Sequence, residues 1–359
     1  MTDNLDPDAQ EIEKQWEEQP EIRKLQLTGG STLIVSLPSH WAKSAGLSAK
    51  DKVYLIPQPD LSLLVLPDSP KKKVNEGLIE ISTQTDSDEA LREFIAYYVA
   101  GYDLMRVSFK GPQPLLRTNL KSQIRSKLIG VEIVDESLER FSAQCLHGPM
   151  DLPVKRALER MSIIAGSMHV DAVKSLVSVD EPLANEIIER DDEVDRFSHF
   201  IARQLNLAVH NRSMIQAIGL LTAQDCLNYR LLAKIVERVA DHAVQIANST
   251  IMLEKRKVPQ QIASKLEKVS KLSSGLYESS IRSLHAANKK LANTTISQLK
   301  LVLKEEESAV DELISSKIDN RSVMSLRLAL ESLRRISEYS TDICEMLIDM
   351  NVGTSSQTS

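Results

Sequence analysis

Lys234-Ile235-Val236-Glu237-Arg238-Val239-Ala240-Asp241-His242-Ala243-Val244-Gln245-Ile246-Ala247 is the stretch that decides the fold. Its apolar positions recur with a helical period, so it predicts an amphipathic helix. Glu237 and Asp241 stand four residues apart. That spacing places both carboxylates on one helix face, where like charges repel unless something positive compensates them. The arrangement recurs upstream at Asp191 and Asp195 and downstream at Glu307 and Asp311. Hard carboxylate oxygens suit Mg, Mn or Ca, and with a histidine also Fe or Zn. E-x-x-x-D is common in helices, and on spacing alone it reads first as a solvated helix face paired to Arg190, Arg196 and Arg238. A cation site is the second reading that spacing leaves open.

Working outward, nearly everything from Leu152 to Met350 has helical period. Helices are predicted at 152–178, 181–210, 213–254, 259–289, 293–317 and 321–349, broken at Pro182, Asn211, Pro259, Asn288 and Asn320. Short turns make neighbouring helices antiparallel. The six fall into two groups of three, about 152–254 and 259–349, each with acids on its second helix, which points to an internal duplication. Residues 351–359 read as a disordered tail.

The N-terminal half is different. Residues 1–21 hold eight acids and one base, a local charge of −7 in a chain of net −6, and read as an acidic disordered arm. Residues 22–73 carry eight bases and three acids. Within them, Arg23–Leu27, Thr32–Leu37, Val53–Ile56 and Ser62–Leu66 predict four strands, and Ser39–Ala45 a short helix. So small a unit has too little core to stand alone, and dimerisation is expected to complete it. Trp41 is expected in that core. Residues 68–87 read as a polar linker that holds at most one strand, at Leu78–Ile81. Residues 88–147 read as an α+β module of two helices and three strands with no catalytic grouping.

The composition agrees with a mainly α, multidomain chain of 359 residues with 4% aromatics. Cys145, Cys226 and Cys344 are far apart and form no C-x-x-C, as expected of buried thiols in a reducing compartment. No apolar run approaches the roughly 18 residues of a membrane span, and the N-terminus is not signal-like. A cytoplasmic protein without membrane insertion is expected. There is no Walker A, G-x-S-x-G or H-E-x-x-H pattern, so the expectation is not an enzyme.

The segment Lys234–Ala247 resembles the E-R-I-x-D-H-A signature helix of PhoU domains. Glu189-Arg190-Asp191-Asp192-Glu193-Val194-Asp195-Arg196 is similar to the acid-pair helix that precedes it in that family. The resemblance implies an all-α bundle of two three-helix repeats over 150–350. It also implies metal binding through Asp191, Asp195, Glu237 and Asp241 (Fe, Mn, Mg or Zn, divalent or trivalent) and negative regulation of phosphate uptake and phosphate homeostasis. The second repeat departs from the pattern. Arg334 aligns with Glu237 and Glu338 with Asp241, while Glu307 and Asp311 remain on the partner helix. Asp311 to Glu338 spans 27 residues against 46 from Asp195 to Asp241. A truncated second hairpin, an internal ion pair at Arg334 and a weaker or vacant second metal site are expected.

Residues 22–67 resemble an AbrB-type (SpoVT-AbrB) swapped-hairpin domain through Ser36-Leu37-Pro38-Ser39-His40-Trp41, Ala45-Gly46-Leu47 and Asp51-Lys52-Val53. That resemblance implies a homodimer that binds DNA, with Arg23, Lys24, Lys43, Lys50 and Lys52 as candidate contacts. Together the two resemblances imply a transcriptional regulator acting at promoters of phosphate-uptake genes. The alternative they leave open is a signalling adaptor that docks on a phosphate ABC transporter ATPase or a sensor kinase, its β domain serving only to dimerise.

Overall fold

The computed structural model describes residues 21–57, 61–68, 74–146, 152–209 and 212–355. The chain divides into two units, the second beginning at Val74.

In the first unit, β1 (Gln26–Thr28) pairs antiparallel with β2 (Thr32–Ile34), and β3 (Val53–Pro57) with β4 (Leu63–Pro67). The loop between β1 and β2 needs positive φ at Gly29 (60°) and Gly30 (85°), which glycine adopts without steric cost. Helix α1 (Ser39–Ser44) lies between the two hairpins in sequence. None of the described residues of this unit is buried within one chain. Leu27, Leu33, Tyr54 and Leu55 are each 58–66% exposed, and Trp41, expected in a core, is only half-buried.

The second unit opens with a sheet module. Its strands are β5 (Glu76–Ile81), β6 (Leu104–Phe109), β7 (Val131–Glu136) and β8 (Arg140–Cys145), in the order β5-β6-β8-β7. β5 runs parallel to β6 and the other pairings are antiparallel. A parallel pair needs a crossover, which α2 (Ser87–Ala100) supplies. Asp86 caps α2 by accepting from the amide of Glu89 at 2.8 Å, and Gly101, at φ 99°, ends it. α3 (Pro114–Lys127) begins on proline, whose missing N–H costs nothing at that position. Alternate residues of β5 are buried, so one sheet face is covered and the other faces water. The covered face packs Ile79, Ile81, Met105, Val107, Phe141 and Ala143 with Phe94, Tyr98, Leu120 and Ile124 from the helices. β5 corrects one expectation: the segment read as a linker over 68–87 supplies an edge strand of this module. Alternation of Gly77, Ile79 and Ile81 with polar or exposed neighbours carried the signal. Gly77 is required there, because a Cβ would sit 2.4 Å from the Tyr97 ring.

The bundle follows. Its first repeat is α4 (Val154–Ser178), α5 (Glu181–Val209) and α7 (Ala223–Met252), with the short α6 (Arg212–Ala217) between the last two. Its second repeat is α8 (Gln260–His285), α9 (Lys289–Ser315) and α10 (Asn320–Ser355). Within each repeat all three long helices touch, and α7 against α10 and α4 against α8 join the halves. One continuous apolar core runs through both.

The turn between α8 and α9 falls four residues earlier than expected, and two further boundaries differ. The helix predicted over 213–254 is broken: Gly219 (φ 82°) follows α6, and Thr222 with Asp225 forms a capping box that starts α7. α10 runs to Ser355, into the segment expected as a disordered tail. The second hairpin is also short on one side only. α5 continues 14 residues beyond Asp195, whereas α9 continues four beyond Asp311. The connection from α9 to α10 also lacks the α6 segment. Among the described residues no helix is long and apolar enough to cross a membrane.

Candidate functional site: a carboxylate face between α5 and α7

Helical spacing puts Asp191 and Asp195 on the side of α5 that meets Glu237 and Asp241 on α7. Asp191, Asp195 and Glu237 are half-buried, and Asp241 is at the exposed margin. Desolvation first, and then Asp195, Asp241, Asp192 and Glu237, push the Asp191 carboxyl up to about 7. Asp195 is raised by desolvation and then by Glu237, and Asp241 by the same two causes in the same order. The face is therefore short of positive charge. One of its oxygens, Asp191 Oδ1, is buried and has no hydrogen-bond partner.

The compensation present is partial. Glu237 accepts from Ser198 Oγ at 2.7 Å and pairs with Lys234. Lys127, from α3, pairs with Asp192 at 3.0 Å. Two of the arginines that could have neutralised the acids are engaged elsewhere. Arg190 binds Asp171 at 2.7 Å and Glu186 at 2.6 Å, and Arg238 lies over the Tyr339 ring at 5.7 Å.

Crowded, part-dehydrated carboxylates with an orphaned oxygen are a donor set suited to a hard cation. Asp191, Asp195, Glu237 and Asp241 would hold it. Among the described residues, no three His, Cys, Asp or Glu side chains already converge on one point. The acids thus form an open face, which would have to draw together around an ion.

Repeat two carries a different arrangement. Arg334 Nε bonds Glu338 Oε1 at 3.0 Å, and Arg335 bonds Glu338 Oε2 at 2.6 Å. The acids expected to be ligands there, Glu307 and Asp311, are both exposed. The buried acid of α9 is instead Glu306, 5% exposed, with Arg327 Nη1 3.3 Å away. Sequence reasoning passed over Glu306 because it lies outside the E-x-x-x-D pair. Its place one turn after Val302 and one before Val310 was the available signal. Glu306, Glu307 and Asp311 line a cavity of about 340 Å³ whose wall also carries two guanidinium groups, Arg327 and Arg334.

The α7–α10 seam adds a stacked cluster. His242 and Tyr339 have ring centroids 5.7 Å apart, and Arg335 lies 5.1 Å from the Tyr339 ring. Desolvation, then Arg335, lowers the His242 pKa, so that ring is not poised to assist the carboxylates as a cation.

In the first unit Arg23, Lys24, Lys43, Lys50 and Lys52 are all exposed. Arg23 pairs with Glu21. Lys50 adopts a left-handed backbone (φ 81°) and, with Lys52, flanks Asp51, which accepts from the amide of Ser48 at 2.7 Å. That turn holds the two lysines just ahead of β3.

Comparison with known proteins bears on both units. Residues 158–250 match the family model for the PhoU domain, and residues 26–75 match that for "Antidote-toxin recognition MazE, bacterial antitoxin". No curated protein matches the chain. Among solved structures, the chain is similar to PhoU from Pseudomonas aeruginosa, at 22% identity and a TM-score of 0.51, over 56% of this chain and 96% of that one. It is also similar to the phosphate transport system regulatory protein PhoU from Streptococcus pneumoniae, at 17% identity and a TM-score of 0.46, over 56% and 94%. The bundle has a PhoU-like fold, and the N-terminal unit is AbrB-like, of the MazE type. The PhoU match ends at the close of repeat one, the half that carries the carboxylate face.

Proposed function

We propose that this chain regulates phosphate uptake and homeostasis as a homodimeric DNA-binding protein whose helical bundle senses state through a cation on its first repeat. The observation that carries this reading is the union, in one chain, of a PhoU-like bundle with a MazE-type β unit. That unit buries none of its described side chains alone. Pairing with a second copy would cover Leu27, Leu33, Tyr54 and Leu55. It would also double the basic surface formed by Arg23, Lys24, Lys43, Lys50 and Lys52. Phosphate contacts of this kind make affinity fall steeply with salt, by a slope of roughly −0.9 per phosphate neutralised. The carboxylate face would take a divalent or trivalent cation, and the charge it adds would be the signal that the bundle passes on.

The test is binding of the full chain to its own upstream region and to promoters of phosphate-transport genes, with and without Lys50→Ala and Lys52→Ala. Sequence-specific binding that the double substitution weakens, with a salt slope shallower by up to about 3.6 because two lysines are lost from each copy of the dimer, supports the regulator. Binding indifferent to sequence and to both lysines would reject it.

A further inference from the structure

Lys127 is the last residue of α3, so it belongs to the sheet module and not to the bundle. Its Nζ nevertheless lies 3.0 Å from Asp192 Oδ1 on α5, with the lysine side chain only 28% exposed. Desolvation pulls its pKa down, but Asp192, Asp195 and Asp191 together outweigh that and hold it above its ordinary value. Lys127 is therefore paired through its side chain with the helix that presents Asp191 and Asp195.

The electrostatics explain why a cation is needed at that position. A helix C-terminus carries roughly half a negative charge. The C-terminus of α3 meets α5 at its most acidic stretch, Asp191-Asp192-Glu193-Val194-Asp195. Negative would face negative were it not for Lys127. The remainder of the module is seated on α5 by other means: Arg203 donates to the carbonyls of Tyr98 and Tyr102, and Asn206 to that of Val99. Among the described residues, the end of α3 is the part of this contact that pairs directly with the acidic stretch of α5.

We propose that Lys127 is a tethered counter-ion of the carboxylate face, and that a divalent cation bound there competes with it and loosens the last turn of α3 from α5. This rests on the cation reading of Asp191, Asp195, Glu237 and Asp241. It makes the sheet module the element that reports cation loading, with Arg203 and Asn206 keeping it attached throughout.

The experiment titrates Mn2+ into the full-length chain by calorimetry, comparing the unsubstituted protein with Lys127→Met and Lys127→Arg. Amide exchange over residues 124–128 is followed with and without Mn2+. Lys127→Met is expected to bind Mn2+ three- to tenfold more tightly, and Lys127→Arg to stay within twofold of the unsubstituted protein. In the unsubstituted chain, Mn2+ should speed exchange over 124–128 while residues 97–102 stay protected. Equal Mn2+ affinity in the unsubstituted protein and Lys127→Met would overturn the proposal and leave the cation site standing. Unchanged exchange over 124–128 would do the same, and this second reading needs no substitution, so it holds even if Lys127→Met folds poorly. Absence of Mn2+ binding in all three proteins would remove both the proposal and the cation site.

Discussion

The guanidinium of Arg203, in the bundle, donates to the main-chain carbonyl of Tyr98, in the sheet module, at 2.7 Å, with its Cζ 5.1 Å from the Tyr98 ring. It also donates to the Tyr102 carbonyl at 2.8 Å and pairs with Asp103 at 3.3 Å. Arg203 is 6% exposed, so these contacts are shielded from water. Arg203→Met would leave two carbonyls and a carboxylate short of a donor, at a cost of about 2–4 kcal/mol. The module has its own core, so its melting should separate from that of the bundle. Two transitions in calorimetry, in place of one, are the expected outcome.

Asp191→Asn removes the carboxylate that the face most strongly repels. Without metal the variant should be more stable, by several tenths to about 1 kcal/mol. With Mn2+ present the order should reverse, because a ligand is lost. Chemical denaturation in chelator and in excess Mn2+ checks both signs. A variant less stable in chelator would show that the face is not strained by its own charge.

His169 lies wholly buried in α4 with neither ring nitrogen hydrogen-bonded, and burial pushes its pKa down to about 4. The fold holds the neutral ring, whereas the unfolded chain takes up a proton near pH 6.5. The fold therefore has its full stability above about pH 6.5 and loses it as pH falls towards about 4, by up to roughly 3 kcal/mol. His169→Leu should flatten that part of the stability–pH curve and raise stability at neutral pH. Urea denaturation of both proteins at several pH values between 4 and 7 gives the comparison.

Arg334→Glu restores an acid at the position in α10 equivalent to Glu237 in α7. It would free Glu338 of one partner and set a new carboxylate near Glu306 and Glu331, destabilising the metal-free bundle by about 1 kcal/mol. If Arg334 is what closes repeat two to cations, Mn2+ stoichiometry should rise from one site per chain to two. Unchanged stoichiometry would assign the closure to Arg327 instead.

Much of this was legible in the sequence, for a physical reason in each case. Periods of 3.6 residues located the long helices because one face of each must be buried. In β6 the alternation of Met105, Val107 and Phe109 with Arg106 and Ser108 marks one buried face in the sequence itself. A strand at Leu78–Ile81 is legible, but its membership of the sheet is not, because charged and small residues surround it. Its burial depends on α2 crossing back over it, a non-local event. Glu237 and Asp241 stood out through spacing, but their partners did not. That Lys127 would arrive from another module, or that Arg190 would bind Asp171, depends on which surfaces meet in space. The second repeat shows the same limit. Arg334 was visible as a base in an acid's place, whereas Glu306 became notable only once burial was known.

The extra turns of α5 beyond Asp195 have a further consequence. Arg203 and Asn206 both lie on them, and α9 has no such extension past Asp311. A duplicated bundle is nearly symmetric, and a symmetric body offers two equivalent berths to anything that docks on it. Lengthening one helix of one repeat leaves a single berth. The module therefore has one address on the bundle, beside the half whose charge can change and away from the half whose arginines fix it. The chain has turned a frame of two similar helical halves into one with a front and a back.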